Sequence, residues 1–421
     1  LSGFPMPGED HTTVSAWDTD IGGSRVQVVV GTATGTVTLL GPSGEVLATL
    51  TDPYLQAGSV RSVRSATVGD EFFLLNTEKA PTLDPATGGV PPTQRGFFYV
   101  LAGAYSKTYS VTVKTGMGEF TATYTTPSGS GSGDAALTLP TKIAEELATA
   151  LQAQGSTLGV TVYRTDAFVY LHGVAGAATV VVSSNAGTTY MIASASSRVR
   201  QDSYLPAILP PEADGYIVAV GETRLSRYFR YDAESVAWKE SGDASSPSGI
   251  SGMPVAVVKE GASWQIKTTP FEGRLAGDDE TNPVPEFRER GLTGIGAFQG
   301  RLVLLSGSQV FLSSSKNPRR FMRSTVTSLL AEDPIGIGAS ANSSAAYEYA
   351  VPFQKDRLLF SDKYQALIPS NGQAVTPANA TVVITSTLSM DMNTAPVPIG
   401  RTLLFAAPRS QDFFGVTEMV A

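Results

Sequence analysis

Two histidines, His11 and His172, are the only imidazoles in 421 residues. A Ser-His-Asp relay or a histidine metal site would have to be built on one of them. His172 follows Phe168-Val169-Tyr170-Leu171 and precedes Gly173, which places it at the end of a strand. Cysteine is absent, so thiolate nucleophiles, thiolate metal sites and disulfides are excluded. The best cluster of candidate ligands is Gly277-Asp278-Asp279-Glu280-Thr281-Asn282-Pro283. Grouped oxygens of this kind can hold Ca²⁺, but the alternating spacing of a calcium loop is missing. Paired carboxylates also serve glycoside hydrolysis, although neighbours on one loop rarely face each other across a substrate. A polar turn, with carboxylates capping backbone N–H groups or pairing with Arg274, accounts for the same residues.

Lys316-Asn317-Pro318-Arg319-Arg320-Phe321-Met322-Arg323 is the densest basic stretch. It could touch phosphates or an acidic neighbour, or simply be a solvated loop. Gly294-Ile295-Gly296-Ala297-Phe298-Gln299-Gly300 lacks the G-x-G-x-x-G spacing and strand–helix setting of a nucleotide loop. The residues therefore name no catalytic group, no cofactor site and no metal site.

The elements that must carry these residues are mostly strands. β-Branched and aromatic runs recur between Gly, Pro, Asn and Asp, at 25–30, 36–40, 71–75, 97–101, 301–305, 309–312 and 381–385. Gly41-Pro42-Ser43-Gly44 separates two of them as a hairpin turn. Tyr109, Val111, Val113 and Phe120, Ala122, Tyr124 alternate on either side of Thr115-Gly116-Met117-Gly118, predicting a half-buried hairpin. Ile143, Leu147 and Leu151 form a helical stripe, predicting one helix over 141–154. Thr141 is its expected cap, Glu145 and Glu146 its dipole partners and Gly155 its stop. The Ser/Gly tract 128–133 before it reads as a flexible loop. Strands at 160–163, 168–171 and 179–182 follow.

Three stretches repeat weakly: Gly300-Arg301-Leu302-Val303-Leu304-Leu305, Asp356-Arg357-Leu358-Leu359-Phe360 and Gly400-Arg401-Thr402-Leu403-Leu404-Phe405. Their arginines stand 56 and 44 residues apart, near the length of a four-stranded propeller blade. Each continues into a second strand, at Gln309, Gln365 and Gln411. Gly69-Asp70-Glu71-Phe72-Phe73-Leu74-Leu75 is an earlier copy. The expected fold is mainly β: an irregular propeller, with a sandwich or barrel as the alternative. The expected domains are 1–95 as its first part, 96–204 as an inserted β-rich module carrying the helix, and 205–421 as its continuation.

Formal net charge is -8, with 30 Lys+Arg against 38 Asp+Glu. That disfavours tight nucleic-acid binding, which needs a basic face to displace counterions. No window holds 18 uninterrupted apolar residues, so no membrane insertion is expected. The sequence begins at Leu1 with no signal-peptide pattern, as a processed chain or a portion of a longer one would.

Collinear motifs then point to a family. Gly103-Ala104-Tyr105-Ser106-Lys107-Thr108-Tyr109 resembles the "GAYSRTY" stretch of the tail tubular protein B family of T7-like podophages. Leu209-Pro210-Pro211 with Gly215-Tyr216, the run 228–231 with Trp238-Lys239-Glu240, and Met253-Pro254 follow in the family's order. Arg274 through Phe287 resembles its "R-x-x-GDDxTNPxPxF". Arg301-Leu302, Asp333-Pro334-Ile335 and Leu359-Phe360-Ser361 resemble "NRL", "DPID" and "LLFS". The resemblance spans about 66–385. It departs at 316–323, where relatives carry aromatic and Asn residues, and family members are usually much longer.

The resemblance implies a virion protein without enzymatic activity, assembled in the host cytoplasm. Six copies would form the nozzle of a short tail. Its expected partners are its own copies, the tail tubular protein A adaptor, the tail fibre and phage DNA passing without specific binding. It makes the acidic motif a structural signature. The competing class is a glycan-active propeller enzyme, a depolymerase or lyase, which would need convergent carboxylates or aromatics in a pocket.

Overall fold

A computed structural model describes residues 6, 8–86, 91–174, 176–177, 179–338, 345–370, 372–410 and 413–420, with the Arg224 side chain excluded. The chain is mainly β, arranged as separate, open sheets that are almost wholly antiparallel. Among the described residues no sheet closes into a barrel.

Five sheets form a row. The first is the meander Val14–Ile21, Ser24–Gly31, Thr36–Leu40 and Val46–Thr51. Its third and fourth strands are joined by the expected 41–44 turn, where Gly44 sits at φ +82. The second sheet has the same strand order: Val63–Val68, Glu71–Asn76, Val255–Glu260, Ser263–Lys267. Between its second and third strands the chain makes an excursion over 77–254. The third sheet is Gly294–Phe298, Arg301–Ser306, Gln309–Leu312, Ile335–Gly338. The fourth is Tyr349–Phe353, Asp356–Phe360, Gln365–Ile368, Val383–Ser386. The fifth is Val397–Ile399, Thr402–Pro408, Phe414–Val420.

The weak sequence repeat has a structural meaning. Each copy lies at the start of the second strand of its sheet: Glu71, Arg301, Arg357 and Thr402. The first three of those strands are nearly continuous apolar runs because sheets pack on both of their faces, whereas Thr402–Pro408 is covered on one face. Val28 and Leu39 meet Phe72 and Leu74, joining sheets one and two. Phe73 and Leu75 meet Leu302 and Leu304, joining two and three. Val303 and Leu305 meet Leu359 and Ala366, joining three and four. Leu358 and Phe360 meet Leu403 and Phe405, joining four and five. The continuation expected at Gln411-Asp412 lies outside the described residues; the strand following it is Phe414–Val420.

First strands lie side by side along the row: Val14–Ile21 touches Val63–Val68, which touches Gly294–Phe298, then Tyr349–Phe353, then Val397–Ile399. Glycine permits the closest of these approaches. A β-carbon on Gly294 would run into the Glu348 carbonyl, and one on Gly296 would lie 2.9 Å from Ala350 Cβ. The stretch 294–300 is thus a strand and a hairpin turn.

The excursion begins at Thr82–Asp84 and returns at Gly249–Ser251, which pair with each other and with Phe271–Glu272. Inside it, Thr108–Thr115 and Glu119–Thr125 form the expected hairpin, with Tyr109 opposite Tyr124 and Val113 opposite Phe120. Val180–Ser184 completes that sheet. A second sheet, in the order Val160–Thr165, Phe168–Gly173, Arg95–Val100, Met191–Ala193, faces it across the helix. The helix runs Pro140–Ala153 and buries Ile143, Leu147 and Leu151 as its stripe requires. Its start differs from the Thr141 cap. Pro140 takes the first turn, where its missing N–H costs nothing, and Leu139 precedes it with no side-chain cap. Glu145 and Glu146 pair with Lys142 instead of serving the helix start. Gly155 opens a further turn, Gly155–Leu158, and the left-handed stop is Gly159 at φ +64.

Phe97-Phe98-Tyr99-Val100 alternates between two cores. Phe98 and Val100 pack on the helix side, while Phe97 and Tyr99 face the opposite way. There they meet Tyr216, Val218 and Tyr231 of a further sheet, Arg198–Val199, Ile217–Val220, Arg227–Asp232 and Ala237–Ser241.

Candidate functional site

The acidic motif 277–283 is the most elaborated polar site in the chain, and its bonds turn inward. Gly277 adopts φ +76, which reverses the chain. The Asp278 carboxylate then accepts the N–H groups of Glu280 at 3.1 Å and Thr281 at 3.0 Å, and the Thr281 hydroxyl at 2.9 Å. Its second oxygen accepts the Tyr228 hydroxyl at 3.1 Å. Burial works to raise the carboxyl pKa, but these donors outweigh it and hold it below the ordinary value. The same contact, with burial first, pushes the Tyr228 phenol up. Asp279 pairs with the buried guanidinium of Arg274, whose Nε donates to the Asn282 carbonyl at 2.9 Å. Asn282 is buried and uses its whole amide: Nδ2 to the carbonyls of Ala276 at 2.8 Å and Arg323 at 2.9 Å, Oδ1 from the Arg323 N–H at 2.9 Å.

Three parts of the chain meet here. The Gly277 N–H reaches the Ser241 carbonyl, the Asp243 N–H reaches the Gly277 carbonyl, and Val326 N–H reaches Glu240 Oε1. The loop thereby fastens the strand Ala237–Ser241 of the excursion to the segment between the third sheet's last two strands. Chemically it is a clamp in which Asp278, Asp279 and Asn282 bind the loop's own neighbours. Among the described residues no group of three or more His, Cys, Asp or Glu could hold a metal.

The basic run 316–323 is neutralised within the chain. Lys316 pairs with Glu332. Arg319 is buried, 2.6 Å from Glu71 and stacked 5.2 Å from the Phe73 ring centroid. Arg320 reaches Glu272 at 2.5 Å, and Arg323 reaches Asp333 at 3.4 Å. Four charges that looked available for phosphate are consumed: Arg319 ties the loop after Leu312 to the second sheet, Arg320 ties it to Phe271–Glu272, and Lys316 and Arg323 pair within the loop itself. His172 sits in the strand Phe168–Gly173, paired across to Thr161 and Arg95. Burial, and after it the Arg95 charge, lower its pKa, so the ring is kept neutral beside a cation, and among the described residues no carboxylate is bonded to it. His11 is exposed in a turn. The structure brings neither histidine to the acidic loop or to the basic run. A shallow concavity of about 370 Å³, lined by Asp18, Arg25, Gln27 and Leu40, lies on the first sheet without convergent acids.

The roles of three arginines escaped the sequence reading. Arg301, the repeat arginine, is buried and donates to the carbonyls of Ser313 at 2.7 Å, Asp333 at 2.8 Å and Ala331 at 2.8 Å. Arg64 in the second sheet lies 2.6 Å from Glu348, just before the fourth, and stacks 4.5 Å from the Tyr349 centroid. Arg61 similarly reaches Asn393, just before the fifth sheet. A recurrent Arg at strand starts could have announced the first; nothing local announces the others.

A profile of the family described as "Bacteriophage nozzle protein" matches residues 23–421. The chain belongs to that family. It is 28% identical over 369 residues to the "Tail tubular protein gp12" of Escherichia phage T7, a match covering 85% of this chain and 45% of the relative. The nozzle chain thus spans less than half the length of that curated relative. A solved structure from a study of two prolyl endopeptidases aligns over 94% of the chain and 52% of its own, at 10% identity and TM-score 0.16, too weak a likeness to carry an argument. As a member of the nozzle family the chain is a structural protein of the phage tail, as the motif order implied.

Proposed function

We propose that the chain is the ring-forming part of a short-tail nozzle subunit. The family match over 23–421 carries the reading. The row of five sheets supports its shape: first strands lie side by side, and Arg64–Glu348 and Arg61–Asn393 tie the second sheet to the segments leading into the fourth and fifth. Side chains can span that distance only if the row curves with its first strands innermost. Such a curve favours the irregular-propeller reading. The row occupies about 14–76 and 255–420, and the excursion is a side module carrying the 96–204 region.

Six such subunits would close around a duplex-sized lumen through heterologous interfaces. The side module, with the sheet-edge strand Glu119–Thr125, would face the fibre or the adaptor. The net charge of -8, and the pairing of the basic run to acids of its own chain, favour a lumen that lets DNA slide without counterion release. The clamp role of 277–283 favours a structural role over glycan cleavage, because Asp278 and Asp279 are engaged with Thr281, Tyr228 and Arg274. Electron microscopy of the protein bound to a portal–adaptor complex tests the proposal. A six-fold ring beneath the adaptor is the expected image. A monomer that releases reducing ends from host polysaccharide would overturn it.

A further inference from the structure

The fifth sheet has one covered face and one bare face. Paired residues of antiparallel strands project to the same side. The pairings of Val397 with Leu404, Ile399 with Thr402, Ala406 with Val416, Pro408 with Phe414 and Thr402 with Val420 therefore gather Val397, Ile399, Leu404, Phe414, Val416 and Val420 on one side. The opposite side carries Leu403, Phe405 and Met419, which pack on Leu358, Phe360 and Met390. On the bare side, Val397 is 51%, Ile399 56%, Phe414 69%, Val416 68% and Val420 66% exposed. Glu418 is the one charge among them. A contiguous apolar face of this kind marks a surface built to be covered. The last strand is also an unpaired edge of seven residues with no proline or bulge.

The other end of the row does not fit it. On the far side of the first sheet, the pairings of Asp18 with Gln27 and Asp20 with Arg25 present polar groups, and the apolar Val29 and Leu40 on that side are already buried. Burying Asp18 and Asp20 against valines would strip their hydration without supplying partners. The row's own rule is that each sheet stacks its apolar second strand against the next sheet. The match covers 45% of the curated relative, so more than half of that protein's length is unmatched.

From these we infer that the bare face of the fifth sheet is covered in cis by a further β-sheet of the same build, supplied by polypeptide following Val420 in the full-length subunit. This rests on the curved-row reading above.

Residues 1–421 contain no cysteine, so an introduced thiol is the single one in the short chain. Val416→Cys places a thiol on the bare side, and Thr417→Cys, whose residue pairs with Phe405, places one on the covered side. Alkylation rates are measured in residues 1–421 and in the uninterrupted product of the reading frame. The Val416→Cys thiol should react freely in the short chain and at least about tenfold more slowly in the long one, as the cost of local opening requires. The Thr417→Cys thiol, half-buried in the short chain, should react at the same rate in both. The inference is overturned if the reading frame adds no β-sheet, or if the bare-side thiol stays as reactive in the long chain. Protection in the short chain that rises with its concentration would also overturn it, assigning the face to a second copy. A bare-side thiol that stays reactive inside intact six-fold rings sinks this inference alone, whereas loss of the ring itself sinks the nozzle reading.

Discussion

Arg301 shows how a buried charge can be held by backbone carbonyls. Its guanidinium is satisfied by backbone carbonyls at 2.7 to 2.8 Å, and burial, ahead of the opposing pull of Asp333 and Glu332, lowers its pKa. Arg301→Met keeps the volume and orphans those acceptors. The expected loss is about 3 kcal/mol, read from urea unfolding. Asp278 gives a pH signature. Its folded pKa is lowered, so its contribution is complete above the ordinary carboxylate range and disappears as pH falls through the folded value. Asp278→Ala should therefore cost much more stability at pH 7 than at pH 2. Equal losses at both would show that the loop is held by Asn282 and Arg274 alone. At this scale the sequence was informative about grouping and silent about direction. The acidic motif reads as a polar turn because its acceptors lie within three residues of their donors. The fate of Arg319 was hidden because Glu71 lies 248 residues away.

The helix Pro140–Ala153 was legible from Ile143, Leu147 and Leu151, since a 3.6-residue period needs no tertiary information. Its cap was not, because Pro140 decides the start by sterics where Thr141 would have done so by hydrogen bonding. The inserted core is closed on itself: Leu147 packs with Val111, Val169 and Val182, none of which belongs to the row. Leu147→Ala should cost about 3 kcal/mol there. Hydrogen exchange should rise throughout 95–193 and remain unchanged in the strand Arg301–Ser306. Accelerated exchange in both would mean that the module and the row unfold as one unit. Strands at 36–40 and 309–312 fell where the β-branched runs put them. The meaning of the repeat needed the structure. Only pairing shows that all its copies are second strands, and that one sheet is split by an excursion between Asn76 and Val255.

For the whole molecule, charge decides what the proposed ring can do with DNA. A protein that neutralises phosphates releases counterions, so its affinity falls steeply with salt, with a slope near -0.9 per phosphate contact. Arg319 and Arg320 are committed to Glu71 and Glu272, Arg64 to Glu348, and Lys316 to Glu332, so the main cationic clusters have little left to offer. An assembled ring should accordingly show negligible affinity for duplex DNA even at about 50 mM salt, where counterion release is strong. Fluorescence anisotropy of a labelled duplex, titrated with the ring from low to physiological salt, measures this directly. Tight binding with a steep salt slope would require several free Lys or Arg side chains along the lumen. It would also replace passive sliding with a wall that grips DNA, and subunit contacts would then have to free the arginines that the single chain holds in ion pairs. Glu71→Gln separates the two cases. It removes the partner of Arg319 without altering shape, and it should raise DNA affinity only if that arginine can turn toward the lumen.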